Sequence, residues 1–310
     1  MKNFKKILLV IILLLSATVH AVEKITIFFP YAASASSTPA MLAVIDEANK
    51  MQSSFKFVLE FKPGGNQSIS VKAMDQDPRN SLALIAPAYV ENYRSKLIDK
   101  NNYVPVWSLG DACWAVFTNV GATSTGINSL AGIDELVVGG VGFGNATHLT
   151  GIMLGEKYKF NTRYVIFKSN TDALINLVGN NGVNMAIDKI EGFASFKSRN
   201  DNLQVLAVSC PNRMTAIPGV KTLKEQGINS PFVFNILIAN KYMDDEKRTK
   251  IRAVLTLAAE RMGADAFMKL SGLIPPQFNK TSQDEYYFKS LLKFELLTIR
   301  YEKAIENAKK

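Results

Sequence analysis

The chain has 310 residues, a formal net charge of +9, 47% apolar residues and two cysteines. That length supports two lobes rather than one core. The basic residues are scattered instead of clustered with aromatics, which argues against a nucleic-acid partner. With no CxxC, and only His20 and His148, a typical zinc site is excluded as well.

The first element is a leader. Lys2, Lys5 and Lys6 precede an unbroken apolar run from Ile7 to Leu15, and Val19 and Ala21 stand at the small-residue positions of a cleavage site. Nine apolar residues in helix, at ~1.5 Å each, do not cross a ~30 Å hydrocarbon core. A signal peptide over residues 1–21, cleaved after Ala21, is therefore expected rather than an anchor. No Cys follows Ala21 to carry a lipid. Losing three Lys and no acid lowers the charge from +9 to +6. No later stretch reaches the ~18 consecutive apolar residues of a membrane helix, so the expected product is an exported, soluble protein.

Strand and helix signals then alternate. Lys24–Phe29 is a β-rich run stopped by Pro30; Thr38 and Pro39 look like an N-cap and first helical residue, with apolar residues at helical spacing to Met51. Phe55–Phe61 is the next strand, Pro63–Asn66 a turn, Ser68–Met74 a helix, and Leu82–Ala86 a continuous apolar strand. Strands follow at Trp114–Thr118 and Glu135–Gly139, a helix at about Thr147–Tyr158, a strand at Arg163–Phe167, and a helix capped by Asn170. Short strands at Val183–Ile187 and Leu203–Val208 precede a mainly helical last third, periodic over Lys247–Met262 and Tyr286–Ile305. This grammar predicts an α/β fold with parallel sheets.

In such sheets ligands bind at the carboxyl ends of strands, where helix N-termini point. Four turns there are rich in small and polar residues: Tyr31–Thr38, Pro63–Ser68, Gly140–His148 and Lys168–Asp172. Their backbone N–H groups suit a carboxylate or phosphate. The run Gly139–Gly144 lacks the dinucleotide fingerprint, and no phosphate-cradling lysine motif exists, so no nucleotide and no other cofactor is expected. His148 has no nucleophile elbow to serve, which favours a packing or hydrogen-bonding role over catalysis. Cys113 and Cys210 are open between a disulfide and two buried thiols, since sequence fixes no Cα separation.

Taken in order, these turns resemble the extracytoplasmic solute receptors of tripartite tricarboxylate transporters, the TctC or Bug family. Ile25–Thr38 is similar to the family's opening strand and loop, and Glu60–Gly65 to its Pro-Gly turn. Val104–Gly110 and Gly142–Leu149 (GFGNATHL) follow, then Val165–Ser169, Gly182–Asp188, Leu206–Ser209 with Arg213, and Ile217–Gly227. The resemblance implies a type II periplasmic-binding-protein fold: two α/β lobes joined by two crossing hinge strands. It places lobe 1 at residues 22–112, lobe 2 at 113–213, and a return to lobe 1 with C-terminal helices at 214–310. The crossings would fall near Gly110–Cys113 and Ser209–Pro218, where antiparallel strands would let Cys113 and Cys210 pair across the hinge.

It also implies a ligand set: Tyr31, Ala32, Ser34, Ser36 and Thr38; Gly65, Asn66 and Ser68; Gly142, Asn145, Thr147 and His148; and Lys168, Asn170 and Asp188. Thr38 and Asn184 stand where the family usually carries acids, and Ser34-Ala35-Ser36 replaces its glycines, which should favour an anion and narrow the pocket. The expected function is capture of a small organic anion for the membrane subunits of a secondary transporter, by a monomer without catalysis. A receptor feeding a signalling kinase shares the fold, and an exported hydrolase is the remaining alternative.

Overall fold

The computed structural model describes residues 22–119, 130, 133–190, 193–229, 233–274 and 282–310. The leader expected over residues 1–21 lies outside the described residues.

From the N-terminal end, β1 (Glu23–Phe29) leads through a short loop into α1 (Thr38–Met51), then β2 (Phe55–Phe61), α2 (Ser68–Met74), β3 (Ser81–Ile85), α3 (Tyr89–Arg94) and β4 (Tyr103–Ala112). The chain next builds β5 (Ala115–Thr118), β6 (Glu135–Gly140), α4 (Ala146–Tyr158), β7 (Asn161–Ile166), α5 (Asn170–Val178), β8 (Met185–Asp188), α6 (Phe193–Lys197) and β9 (Gln204–Val208). It closes with β10 (Val233–Asn240), α7 (Asp245–Met262), α8 (Ala264–Ser271), β11 (Leu273–Ile274), α9 (Gln283–Arg300) and α10 (Glu302–Ala308). The last two helices replace the single periodic run expected to Ile305, with the break at buried Tyr301.

Two sheets result, ordered β11-β4-β10-β3-β1-β2 and β7-β6-β8-β5-β9. Both are mixed rather than parallel. In the first, β1 pairs in parallel with β2 and β3, whereas β10 runs antiparallel to both β3 and β4. In the second, β6 is parallel to β7 and β8, and β5 is antiparallel to β8 and β9. The reversal follows from the path of the chain. β1 and β3 end at the cleft between the lobes, and a chain returning from the second lobe enters the first sheet from that side. Its strand, β10, must therefore run against them. The sheet centres are continuous apolar runs, such as Leu82–Ile85 and Ile236–Ala239, buried on both faces as a helix-covered sheet requires.

Two connections join the lobes. The first is only Cys113–Trp114, between β4 and β5; the second leaves β9 at Ser209. They lie side by side: Trp114 N donates to Ser209 Oγ at 3.0 Å, and Ser209 N donates to the Trp114 carbonyl at 2.8 Å. A disulfide joins Cys113 to Cys210 with their Cα atoms 4.6 Å apart. Residues 221–228, placed by the sequence reading in the return to the first lobe, remain attached to the second: Val208 N donates to the Lys221 carbonyl, Leu223 N to the Val208 carbonyl, and Gln226 Nε2 to the Leu206 carbonyl. The passage into the first sheet comes at β10.

Candidate functional site

Four corners expected to hold ligand meet where the lobes face each other. Three come from the ends of β1, β6 and β7; the fourth is the turn after β2. Each corner is built differently.

The loop after β1 is committed to lobe-to-lobe contacts. Ala32 N donates to the Lys168 carbonyl at 3.3 Å. Ser34 Oγ donates to Asp172 Oδ1 at 3.1 Å and lies 3.2 Å from Ser169 Oγ. Ser36 hydrogen-bonds to the buried carboxyl of Asp188, which also accepts from Thr171 Oγ1 at 2.8 Å and from Lys189 N at 2.9 Å. Burial raises the Asp188 carboxyl above its usual range, against the pull of those donors. Thr38 is buried and caps nothing; the N-cap position belongs to Ser37.

The turn after β2 is strained backbone. Gly64, Gly65, Asn66 and Gln67 have successive φ values of 111°, 57°, 49° and 78°. Left-handed Asn and Gln each cost roughly 1–2 kcal/mol, so surrounding contacts must impose the shape. Gln67 supplies them from a buried position: its Oε1 accepts from Ala86 N at 2.8 Å and its Nε2 donates to Tyr31 Oη at 3.3 Å. Burial of Tyr31 pushes its phenol above the ordinary value. The result leaves Gly64 and Gly65 exposed in the turn before α2.

The turn after β6 is shaped from behind. Asn145 is the N-cap of α4, its Oδ1 accepting from His148 N at 2.8 Å and from Tyr164 Oη at 3.0 Å. His148 Nδ1 accepts from Gly144 N at 3.1 Å, and its ring stacks on Tyr164 with centroids 4.2 Å apart. Burial, with Lys309 as a second cause, lowers the His148 pKa to about 4, so the ring is neutral and an acceptor at neutral pH. At the front, Gly142 abuts the first lobe: a Cβ there would lie 2.4 Å from Asn66 Oδ1. A Cβ there would push the end of the Asn66 side chain aside.

The corner after β7 begins α5 with Ser169, not Asn170, as the N-cap: Ser169 Oγ accepts from Asp172 N at 3.0 Å. Asn170 is buried, and its Oδ1 has no hydrogen-bond partner among the described residues.

Between the corners lies a cleft of about 870 Å³. Of the expected ligand set, Gly65, Asn66, Ser68 and Lys168 line it. Tyr31, Ala32, Ser34, Ser36, Thr38 and Asp188 are instead engaged in the contacts that hold the loops, Asn145, Thr147, His148 and Asn170 lie buried behind the wall, and Gly142 is buried against Asn66 of the first lobe. The remaining wall comes from residues outside the expected ligand set, although Pro63, Val141, Phe143 and Asp172 sit within the four expected turns. The first lobe gives Pro30, Pro63, Asn92 and Leu97; the second gives Val141, Phe143, Ile166, Phe167 and Asp172.

A two-lobed α/β protein with paired crossings and a cleft at the hinge is a solute-binding protein of the type II periplasmic class. The profile described as "Tripartite tricarboxylate transporter family receptor" matches residues 131–289, and the chain belongs to that family. It is accordingly a periplasmic, non-catalytic solute receptor of that transporter type. Comparison with curated protein sequences returns no match. Among solved structures, MatC (Rpa3494) from Rhodopseudomonas palustris with bound malate is similar with a TM-score of 0.73 at 17% identity, over 89% of this chain and 99% of that one. The periplasmic binding protein BugD gives 0.72 at 17% identity, over 91% and 97%. R. palustris Rpa4515 with adipate gives 0.69 at 15% identity, over 92% and 97%. At these identities the likeness establishes the fold.

Proposed function

We propose that this receptor captures a small carboxylate in the cleft between its lobes and delivers it to the membrane subunits of its transporter. The observation that carries the reading is the convergence of separate strand-end corners, one from each lobe carrying free polar groups, on one solvent-filled gap. The exposed backbone of Gly64–Gly65, in the turn before α2, and the Lys168 side chain face that gap from opposite lobes. Exposed backbone N–H groups in a turn and an ammonium group both favour an acid. The malate named with MatC and the adipate named with Rpa4515 are consistent with such a cargo.

Binding work in this class is differential affinity for closed over open lobes. Gly65, Asn66, Ser68 and Lys168 are assigned to direct contact. Tyr31, Ala32, Ser34, Ser36, Thr38, Asn170 and Asp188 are assigned to holding the closed form, and Gly142, Asn145, Thr147 and His148 to shaping its second-lobe wall. The mature chain starts at Val22, after cleavage behind Ala21, and acts as a monomer.

A thermal-shift screen of carboxylic acids tests this. An acid at a hundred times its dissociation constant should add about 2.7 kcal/mol of stability. No shift with mono-, di-, tricarboxylic or aromatic acids would contradict it, and mass spectrometry of the exported protein checks the start at Val22.

A further inference from the structure

Resting on that reading, we propose that the cargo is a monocarboxylate with an apolar body, an arylalkanoate or medium-chain alkanoate, rather than a di- or tricarboxylate. The cleft has one cationic side chain, Lys168, among the described residues that line it, and its one acidic side chain is Asp172, a helical turn further on. Beside the polar Asn66, Ser68 and Asn92, both lobes contribute apolar wall. Pro30, Pro63 and Leu97 come from the first lobe, and Phe143, Ile166 and Phe167 from the second.

Leu97 and Ile166 are each 49% exposed, and they belong to opposite lobes of the same gap. An exposed aliphatic side chain is unremarkable singly, but two flanking one concave site mark the place where an apolar group is received. A second carboxylate placed against Leu97, Ile166 and Phe167 would lose its water there with no second lining cation to meet it. Placed nearer α5, it would face the Asp172 carboxylate. A cleft of about 870 Å³ also exceeds what a four-carbon diacid fills and has room for a six- to eight-carbon chain or a phenyl ring.

The decisive experiment is isothermal titration of the mature receptor with butanoate, hexanoate, octanoate and 3-phenylpropanoate, beside succinate, malate and citrate. Burial of a methylene is worth about fourfold in affinity, so the alkanoates should tighten by roughly that factor per carbon until the wall is covered. Phenylpropanoate should exceed every diacid by at least about tenfold. A flat alkanoate series, or succinate, malate or citrate binding more tightly than hexanoate and phenylpropanoate, overturns the proposal while leaving a carboxylate receptor in place. Binding of none of the seven acids overturns the receptor reading itself.

Ile166→Asn locates the effect. It is expected to weaken octanoate about tenfold and butanoate less than twofold. Equal losses for both acids, or no loss for either, would place the apolar body elsewhere and overturn the assignment of this wall.

Discussion

The turn after β2 and the turn after β6 face each other across one cleft, yet they reach their shapes by opposite means. Gly64–Gln67 is held by a run of left-handed backbone, with Gln67 anchoring it to Ala86 and Tyr31. Gly140–Asn145 is held by a side-chain network behind it, in which Asn145, His148 and Tyr164 satisfy one another. The first corner carries its strain in the backbone and leaves its glycines exposed. The second is packed to completion and offers the ligand only its front face. Asn145 and His148, expected as ligand contacts, hydrogen-bond within this turn.

The hinge ties these two halves, and cutting it should have the largest effect. Replacing Cys113 and Cys210 by Ser opens a loop closed across a sequence separation of 97 and should cost about 4 kcal/mol in chemical denaturation. If the lobes were independently stable, the loss would fall well below that.

Within the second turn, a Cβ at Gly140 would sit 2.1 Å from Tyr164 Oη and 3.2 Å from Thr147 Cβ. Tyr164 is stacked and hydrogen-bonded and has nowhere to go, so Gly140→Ala should destabilise by about 3 kcal/mol in the same assay. A loss under about 1 kcal/mol would mean that the network is softer than described.

His148→Leu leaves the buried Gly144 N–H without its acceptor and should cost about 2 kcal/mol at pH 7.5. The sign of its pH dependence is fixed. The folded pKa of about 4 lies below the ordinary 6.5, so the folded protein binds fewer protons between those values. The contribution of neutral His148 is fully present above pH 6.5 and is lost as pH falls towards 4. The gap between wild type and His148→Leu should narrow over that window, whereas a gap that widens would mean that His148 is charged in the fold.

The smallest effect on stability belongs to Gly142→Ala. The atom in its way is the free end of Asn66, 2.4 Å from the added Cβ, which can swing aside in an open receptor. Stability should change by less than about 0.5 kcal/mol, while ligand affinity drops about tenfold because closure is obstructed. Equal affinity for both proteins would show that the lobes close without this contact.

Much of this was legible beforehand. Turn chemistry located all four corners, because Pro30, Pro63-Gly64-Gly65 and the glycines around Phe143 break periodic runs at definite places. The central strand β10 was not. Val233–Asn240 is a short, almost continuous apolar run, which periodicity does not separate from a buried helix, and it pairs with β3 and β4 far away in sequence. With β10 unseen, the antiparallel pairing of the first sheet was unseen too. The cap residues slipped by one, Ser37 for Thr38 and Ser169 for Asn170, because neighbouring Ser, Thr and Asn are chemically equivalent until the backbone chooses. The apolar wall of Leu97, Ile166 and Phe167 comes from ordinary strand and loop positions. Only the folding of one lobe against the other gives it meaning.

The central claim is that one bound acid is gripped by both corners at once. Hydrogen exchange of backbone amides, with and without a saturating carboxylate found in the screen, tests it directly. Protection should rise together at 64–68 and at 142–144. Protection of neither segment, or of one alone, in a receptor saturated with its ligand would contradict the account.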